Sequence, residues 1–180
     1  MVSLYDIKSD FPGWPDDVIE QWLLKFANQP EMGWPPPDPM DGHRWEILIT
    51  QPVAWWKDVT WKLETRDCGF DKLSLDGRKT MNGMFKALIE GEENGFGGDN
   101  SPARFQRQLK ILVVTGKFER PPLLFPIDSG LSPLDGNHRL FALQTALQMS
   151  YEDLAKYEVK RPSASQSVWI ASHKNGEDPG

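Results

Sequence analysis

The sequence predicts a mixed α/β fold, in which helices flank a small mixed sheet. Apolar residues recur at helical spacing over residues 16–28 and alternate at strand spacing over residues 59–63. Further along, two short apolar runs at 123–127 and 131–135 are separated by Asp-Ser-Gly and lead directly into a helical pattern. Strands and helices that are interleaved in this way are typical of an α/β domain.

The length of 180 residues suits one domain with its own core. We expect a single domain at 1–175, followed by a disordered tail at 176–180. Within the domain, residues 1–65 are rich in tryptophan and proline, and residues 100–173 hold the candidate functional site.

Composition indicates a globular domain that does not insert into a membrane, since 39% of the residues are hydrophobic, 26% are charged and the apolar runs are short. The start of the chain lacks the pattern of a secretory leader, so we expect a cytoplasmic protein. The single cysteine, Cys68, excludes an intramolecular disulfide and a cysteine-based metal site. The net charge of −6 allows nucleic-acid contact only through a local basic stripe.

Tryptophan is concentrated in the first third of the chain, at positions 14, 22, 34, 45, 55, 56 and 61. Large aromatic side chains that bury much area favour a core. The alternative is a partner-binding face, with residues such as Trp34 or Trp55 as contacts, because aromatic residues are enriched at interface hot spots.

The N-terminal elements follow from spacing and from proline. Residues 16–28 are expected to form an amphipathic helix, and the prolines between 29 and 41 to form a loop or polyproline segment. Residues 45–50 and 59–63 are expected to be strands separated at Pro52. In the second strand Val59, Trp61 and Leu63 face inward.

The central elements are two helices and a loop. A helix over 80–90 is followed by a glycine-rich loop at 91–100, which lacks the Lys-Ser/Thr ending of a Walker phosphate loop. Ser101-Pro102 signals the start of a helix that runs to Thr115 and closes at Gly116. Three basic residues on this helix are candidates for contact with a nucleotide or nucleic acid, or for a solvated face: Arg104, Arg107 and Lys110.

The C-terminal elements begin with the strands 123–127 and 131–135 and the helix that follows them. A capping-box pattern at 150–153 opens a short helix, and residues 167–172 read as a final strand. The chain beyond His173 is expected to be disordered.

The helix start at Asp135-Gly136-Asn137-His138-Arg139 is the candidate functional site. Cationic side chains in the first turn of a helix oppose its dipole, whereas a phosphate there is held by the dipole and by the first N–H groups. Gly136 lets the backbone approach a ligand, and Asn137 and His138 present their N–H groups. Arg139 offers a fork of donors that suits phosphate.

Each of three side chains in this motif has a structural alternative. Asp135 could bind a metal ion, orient His138 or activate water, and it could equally cap the helix. His138 could donate to phosphate or transfer protons, or be an ordinary core histidine. Arg139 could bind phosphate or form an internal ion pair. The combination of the five residues after two strands favours an anion site.

Residues 134–143, with the preceding strand pair and the later Val168-Trp169-Ile170, resemble the ParB/sulfiredoxin superfamily. Its small α/β domains bind a nucleoside triphosphate at a Gly-Glu-Arg-Arg or Gly-Gly-Cys-His-Arg helix start. Gly136, His138 and Arg139 match the second glycine, the histidine and the arginine of the latter motif. The resemblance implies that these three residues contact phosphates.

Two departures narrow the resemblance. Asn137 stands where sulfiredoxins have a reactive cysteine, so sulfinic-acid reduction is not expected. Asn137 and His138 replace the Glu-Arg pair of chromosome-partitioning proteins and no helix-turn-helix pattern follows, so a CTP-switched DNA clamp is not expected either. The remaining similarity is to short, stand-alone ParB-like nucleases and ATPases. In size and layout the chain is similar to plasmid fertility-inhibition proteins of the Osa type, which block DNA export by type IV secretion.

Asp135-Gly136-Asn137 with Arg139 also resembles the Fic motif of AMP-transferring enzymes. That motif requires a histidine four residues before the aspartate, where this chain has Leu131, and a further arginine at the position of Ala142. Fic domains are also all-helical. The Fic interpretation is therefore not favoured.

The resemblance implies an ATPase or metal-dependent DNase that binds ATP or another nucleoside triphosphate with Mg²⁺. Asp135, His138 and Arg139 would be catalytic, with Asp135 as the metal ligand, and DNA would contact Arg104, Arg107 and Lys110. The alternative is a non-enzymatic interaction protein that blocks a secretion or replication partner through its Trp/Pro-rich N-terminal half.

Overall fold

The computed structural model describes residues 1–90, 101–156 and 158–179. The predicted mixed α/β class is confirmed. In chain order the elements are α1 (Leu4–Asp10), α2 (Asp16–Ile19), a π-helical turn (Glu20–Leu24), α3 (Lys25–Ala27), α4 (Arg44–Ile49), α5 (Val53–Trp56), β1 (Val59–Asp67), a 3-10 turn (Phe70–Lys72), α6 (Leu75–Glu90), α7 (Ser101–Thr115), β2 (Leu123–Ile127), β3 (Gly130–Asp135), α8 (Asn137–Gln148), α9 (Tyr151–Lys156) and β4 (Ser165–His173).

The four strands form one sheet in the order β1-β4-β2-β3. The chain forms two compact units. The first consists of Met1–Lys62 and the chain from Trp169 onward, and the second consists of Leu63–Val168. No helix in the described ranges has the length and apolar character needed to cross a membrane. The predicted glycine-rich loop at 91–100 lies outside the described residues.

In the first unit, the predicted helix at 16–28 is present as α2, the π-helical turn and α3 in succession. Its buried face includes Val18, Ile19 and Trp22. Trp22 meets Trp56 edge to face, with ring centroids 5.2 Å apart, and Trp14 meets Trp61 at the same distance. Such edge-to-face contacts are a favourable arrangement of aromatic rings. The tryptophans therefore build the core of this unit.

None of the eight tryptophans, all of which are described, is exposed: four are buried and four are half-buried. Trp34 donates its indole N–H to Asp10, and Trp55 donates to Glu177 while stacking on His173. Both side chains proposed as contacts of a partner-binding face are thus engaged within the chain. The core interpretation of the tryptophans is the one that the structure supports.

The prediction of a strand at 45–50 is wrong, because this segment forms the helix α4. The His43 side chain accepts a hydrogen bond from the Trp45 N–H at 3.3 Å, and Glu46 accepts one from the Gly42 N–H at 2.9 Å. These bonds satisfy backbone donors at the start of the helix. Trp45 and Ile49, four residues apart, then bury one face. Capping and helical spacing outweigh the strand preference of the bulky residues.

The strand predicted at 59–63 is confirmed and continues to Asp67 as β1. Its predicted alternation fails at Leu63, whose side chain is 50% exposed, although Val59 is buried and Trp61 is half-buried. β1 is the terminal strand of the sheet, and its burial decreases after Trp61.

The chain beyond His173, which we expect to be a disordered tail, makes several hydrogen bonds to earlier parts of the chain. Lys174 donates its backbone N–H to the Asp58 carbonyl at 3.0 Å, and the Pro179 carbonyl accepts from Thr50 at 2.9 Å and Gln51 at 3.2 Å. These partners are distant in sequence, and so composition alone gave no signal of them.

In the second unit, β2 and β3 form the predicted antiparallel hairpin, with Ile127 opposite Gly130 and Leu123 opposite Asp135. The helices α6, α7, α8 and α9 and the strand β4 appear where the sequence predicts them, although α6 begins at Leu75 rather than at residue 80. The buried Ser74 hydroxyl accepts the Gly77 N–H at 3.1 Å and caps α6 at this earlier point. Phe141 of α8 lies 4.7 Å from Phe85 and 4.8 Å from Phe105, between centroids, which joins α8 to α6 and α7.

Candidate phosphate site at the start of α8

Gly136 connects β3 to α8 in a conformation that requires glycine. Its φ is +103°, and a Cβ atom added there would lie 2.6 Å from Cβ of Pro122 and 2.9 Å from Nη2 of Arg139. Any residue other than glycine would be strained at this φ, and its Cβ atom would overlap both neighbours. Glycine therefore lets the chain turn sharply beneath the segment that contains Pro122.

The start of α8 has no side-chain cap and no acidic residue in its first turn. An α-helix leaves its first N–H groups without an intrahelical partner, and these groups carry the positive end of the helix dipole. The first turn also contains Arg139, which adds a full positive charge, and the half-buried His138 and Asn137. The electrostatic character of this helix start favours an anion.

Arg139 forms the internal ion pair that was one of the two interpretations of this residue. Its Nη2 lies 2.5 Å from Oδ2 of Asp135, and its Nη1 donates to the Arg120 carbonyl at 3.0 Å and the Pro121 carbonyl at 3.4 Å. The side chains of Arg139 and Asp135 are only 11% and 16% exposed. Arg139 therefore ties the end of β3 and residues 120–121 to the helix start. It acts as a positioning residue whose charge remains in the first turn.

Asp135 does not cap α8, because Gly136 occupies the N-cap position. One of its oxygens accepts from Arg139, which partly neutralises its charge. The described residues contain no group of three or more histidine, cysteine or carboxylate side chains arranged to hold a metal ion. Asp135 would contribute one carboxylate to bound Mg²⁺, which commonly keeps water and substrate phosphates as its other ligands.

The three predicted basic contacts on α7, namely Arg104, Arg107 and Lys110, are all exposed. Arg107 pairs through Nη2 with the Glu119 carboxylate, which also accepts from Gln108 at 3.2 Å. Hydrogen bonds from Gln108 and Arg107 lower the pKa of Glu119, and the nearby charges of Arg107 and Arg139 lower it further. Two side chains of α7 therefore hold Glu119 in its ionised form.

Sequence reasoning missed the segment 119–122, which supplies two carbonyls and a proline ring to the helix start. The available signal was Pro121-Pro122 directly before β2. Consecutive prolines restrict the backbone and donate no N–H groups, so they suit a segment that presents carbonyls to a guanidinium.

Comparisons with protein-family models, with curated proteins and with solved structures found no match to this chain.

Proposed function

We propose that this chain is a nucleotide-binding protein of the phosphohydrolase type, which holds a phosphate group of a nucleoside triphosphate at the start of α8. The observation that carries this proposal is the start of α8, which has glycine at the N-cap, no side-chain cap and no acidic residue in its first turn. An anion at this position would accept hydrogen bonds from the first N–H groups and interact favourably with the positive end of the helix dipole. The resemblance of residues 134–143 to nucleotide-binding domains supports the same ligand.

The roles within the motif differ from residue to residue. The N–H groups of Asn137 and His138 bind the phosphate oxygens, and Gly136 permits their close approach. Arg139 contributes long-range charge and fixes the backbone, because its donors are already engaged by Asp135, Arg120 and Pro121. Because the backbone N–H groups bind and Arg139 only positions them, phosphate binding should depend more on the backbone at 136–138 than on the arginine side chain.

His138 is the side chain of the first turn that suits proton transfer. In hydrolysis, a water oxygen attacks the terminal phosphorus and the bond between that phosphorus and its bridging oxygen breaks. The proton of the attacking water passes to the His138 imidazole, and the departing oxygen keeps the bonding electron pair. Mg²⁺, where bound with the nucleotide, would neutralise charge on the phosphates beside Asp135.

Asn137→Asp tests phosphate binding with two readouts that change in opposite directions. A carboxylate in the first turn stabilises a helix by about 0.3–1 kcal/mol, so the variant should melt at a higher temperature than the parent protein. The same carboxylate repels phosphate, so its affinity for ATP, measured by calorimetry, should fall. Asn137→Ser is the matched control, since it shortens the side chain without adding charge. An unchanged ATP affinity in Asn137→Asp would contradict the proposed site.

Binding and turnover require separate measurements. His138→Ala should retain ATP binding while losing phosphate release from ATP, or cleavage of DNA in the presence of Mg²⁺. If the parent protein binds ATP and releases no phosphate, the hydrolase part of the proposal is wrong and the binding part stands.

A role in blocking type IV secretion can be tested in the cell. If inhibition of plasmid transfer depends on ATP binding, Asn137→Asp should abolish it, and if it depends on hydrolysis as well, His138→Ala should also abolish it. Inhibition that persists in both variants would favour the non-enzymatic alternative. The contacts of that alternative would then lie on exposed residues, since the tryptophans are engaged in the first unit.

A further inference from the structure

Among the described strands, β1 lies at one end of the sheet and has β4 as its neighbour. The two residues that flank β1 show how it pairs: Asp58 accepts the Lys174 N–H, and Cys68 donates its N–H to the Ala164 carbonyl, both at 3.0 Å. The residue numbers of the two pairs have the same sum, so β1 and β4 run antiparallel and in constant register. Since every second residue of an antiparallel strand bonds to its neighbour, the even-numbered residues of β1 bond to β4.

The odd-numbered residues of β1 therefore direct their backbone N–H and C=O groups away from β4. Val59 confirms this direction, because its carbonyl accepts a hydrogen bond from the Trp14 indole at 3.0 Å rather than from β4. The next residues with outward backbone groups are Trp61, Leu63 and Thr65. A row of outward donors and acceptors on an end strand is a template for pairing with a further strand.

The side chains of β1 add two features to this edge. Leu63 is 50% exposed and Thr65 is exposed, although both lie on the strand face that carries the buried Val59. The opposite face carries charges of alternating sign, at Lys62, Glu64 and Arg66. A partner strand that fits this edge offers an apolar residue opposite Leu63 and charges in the reverse order.

We propose that β1 pairs antiparallel with β1 of a second copy of this chain, about a two-fold axis at Leu63. In this register Leu63 lies opposite its own counterpart, and Trp61 lies opposite Thr65 of the second copy. Lys62 lies opposite Glu64 of the second copy, and symmetry produces this pair twice. Cross-strand pairs of opposite charge, and of an aromatic with a β-branched residue, are favourable. The exposed Leu63 is covered by the same contact.

The side chains select this register among those that the edge allows. Because residues with outward backbone groups must pair with one another, the two-fold axis passes through a residue rather than between two. An axis at Lys62 or at Glu64 places that charged residue opposite itself, which is unfavourable. An axis at Thr65 also gives opposite charges, but it sets Leu63 opposite Asp67 and shortens the overlap. The axis at Leu63 satisfies both the charges and the apolar contact.

The length of the contact limits its strength. The Val59 carbonyl is already engaged by Trp14, so the pairing extends over residues 61–65 of each copy. A stable interface of standard size contains about 20–30 residues on each side. We therefore expect a reversible dimer that dissociates on dilution.

The test is sedimentation equilibrium of the full chain at concentrations up to the millimolar range. The parent protein should show a monomer–dimer equilibrium. Lys62→Glu places two like charges opposite each other at both symmetric positions, so it should weaken association roughly tenfold. The double variant Lys62→Glu/Glu64→Lys restores opposite charges across the axis and should recover the parent association constant. Thermal melting of each variant verifies that it is folded.

Lys79→Glu is the matched control, because it changes the net charge equally at an exposed lysine of α6 that pairs with Asp76. It should leave the association constant unchanged. Hydrogen exchange provides a second readout, since the outward amides of Trp61, Leu63 and Thr65 should exchange more slowly as the protein concentration rises.

Three results would overturn the pairing of β1 with a second copy. The first is a parent protein that stays monomeric at millimolar concentration. The second is a dimer whose association constant ignores Lys62→Glu, which would assign the interface to another surface. The third is a loss in Lys62→Glu that the double variant does not recover, because the proposed register requires that recovery.

Discussion

The guanidinium of Arg139 lies 2.5 Å from the carboxylate of Asp135, one helical turn away on the other side of Gly136. Both groups are largely removed from solvent, and the guanidinium also donates hydrogen bonds to the carbonyls of residues 120 and 121. This pair fixes the geometry of the strand-to-helix turn at which we propose that phosphate binds.

Removing Arg139 should destabilise the protein strongly. Arg139→Ala leaves the Asp135 carboxylate unpaired in a poorly solvated position, and breaking a buried pair in this way costs about 3–5 kcal/mol. Urea unfolding should show a loss near the lower end of that range, because Asp135 retains some exposure. The double variant Asp135→Ala/Arg139→Ala should lose less than the sum of the two single losses, since the remaining charge is then absent. A loss below about 1 kcal/mol in Arg139→Ala would show that the pair is not structural.

Gly136→Ala should be more harmful than the same change at Gly116. Both glycines have positive φ, at +103° and +74°, but an added Cβ at Gly116 meets no atom within 4 Å, whereas at Gly136 it meets Pro122 at 2.6 Å. We expect a loss of about 1 kcal/mol at Gly116 from backbone strain, and about 3 kcal/mol at Gly136 from strain and overlap together. Thermal unfolding measures both. Equal losses would contradict the close approach of Pro122 to the helix start.

Cys68 should be unreactive in the folded protein. Burial, reinforced by the nearby Asp67 carboxylate, raises the pKa of its thiol to about 12 from the ordinary 9.0. At pH 8 the thiolate is therefore scarce, and a disulfide reagent should label native protein at least about a hundredfold more slowly than protein unfolded in guanidinium. Because the folded pKa is the higher one, the thiol favours the folded state fully below about pH 9 and loses this contribution as the pH rises toward 12. Rapid labelling of native protein at pH 8 would show that Cys68 is accessible.

Removal of the chain after His173 should lower stability. This truncation deletes the partners of Trp55, Thr50 and the Asp58 carbonyl within the first unit. Each hydrogen bond contributes about 0.5–1.5 kcal/mol, and exposure to solvent reduces the sum, so we expect a loss of about 1–2 kcal/mol in urea unfolding. The substitution Glu177→Gln, which keeps an acceptor for the Trp55 indole, should change stability much less. An unaltered unfolding midpoint in the truncated protein would mean that the tail does not contribute to stability.

Elements that are marked by turn residues and by regular apolar spacing were predictable from the sequence. Elements whose structure depends on contacts between distant residues were not. The hairpin of β2 and β3, the helix start at Gly136 and the boundary at Gly116 all follow from turn residues and apolar spacing. We predicted a strand at 45–50 because bulky residues favour strands. The segment forms a helix instead, because His43 and Glu46 cap its first turn.

The candidate site shows the same limit. The sequence identifies residues 135–139 as a unit, but it leaves open whether Arg139 faces a ligand or Asp135. Segment 119–122 decides that question, and its approach to α8 depends on how α7 and the hairpin pack around Phe141. The exposure of Leu63 and the hydrogen bonds of the tail likewise depend on contacts between residues far apart in sequence.

The most direct measurement of the central claim is a titration of isotopically labelled protein with ATP, followed by amide chemical shifts. Phosphate bound at the start of α8 should shift the amide signals of Gly136, Asn137, His138 and Arg139 most strongly, with inorganic phosphate affecting the same signals at higher concentration. Saturable shifts confined to this turn and to the neighbouring segment 119–122 are the result that we predict. Shifts that spare residues 136–139, or none at millimolar ATP, would contradict the assignment of a phosphate site to this helix start.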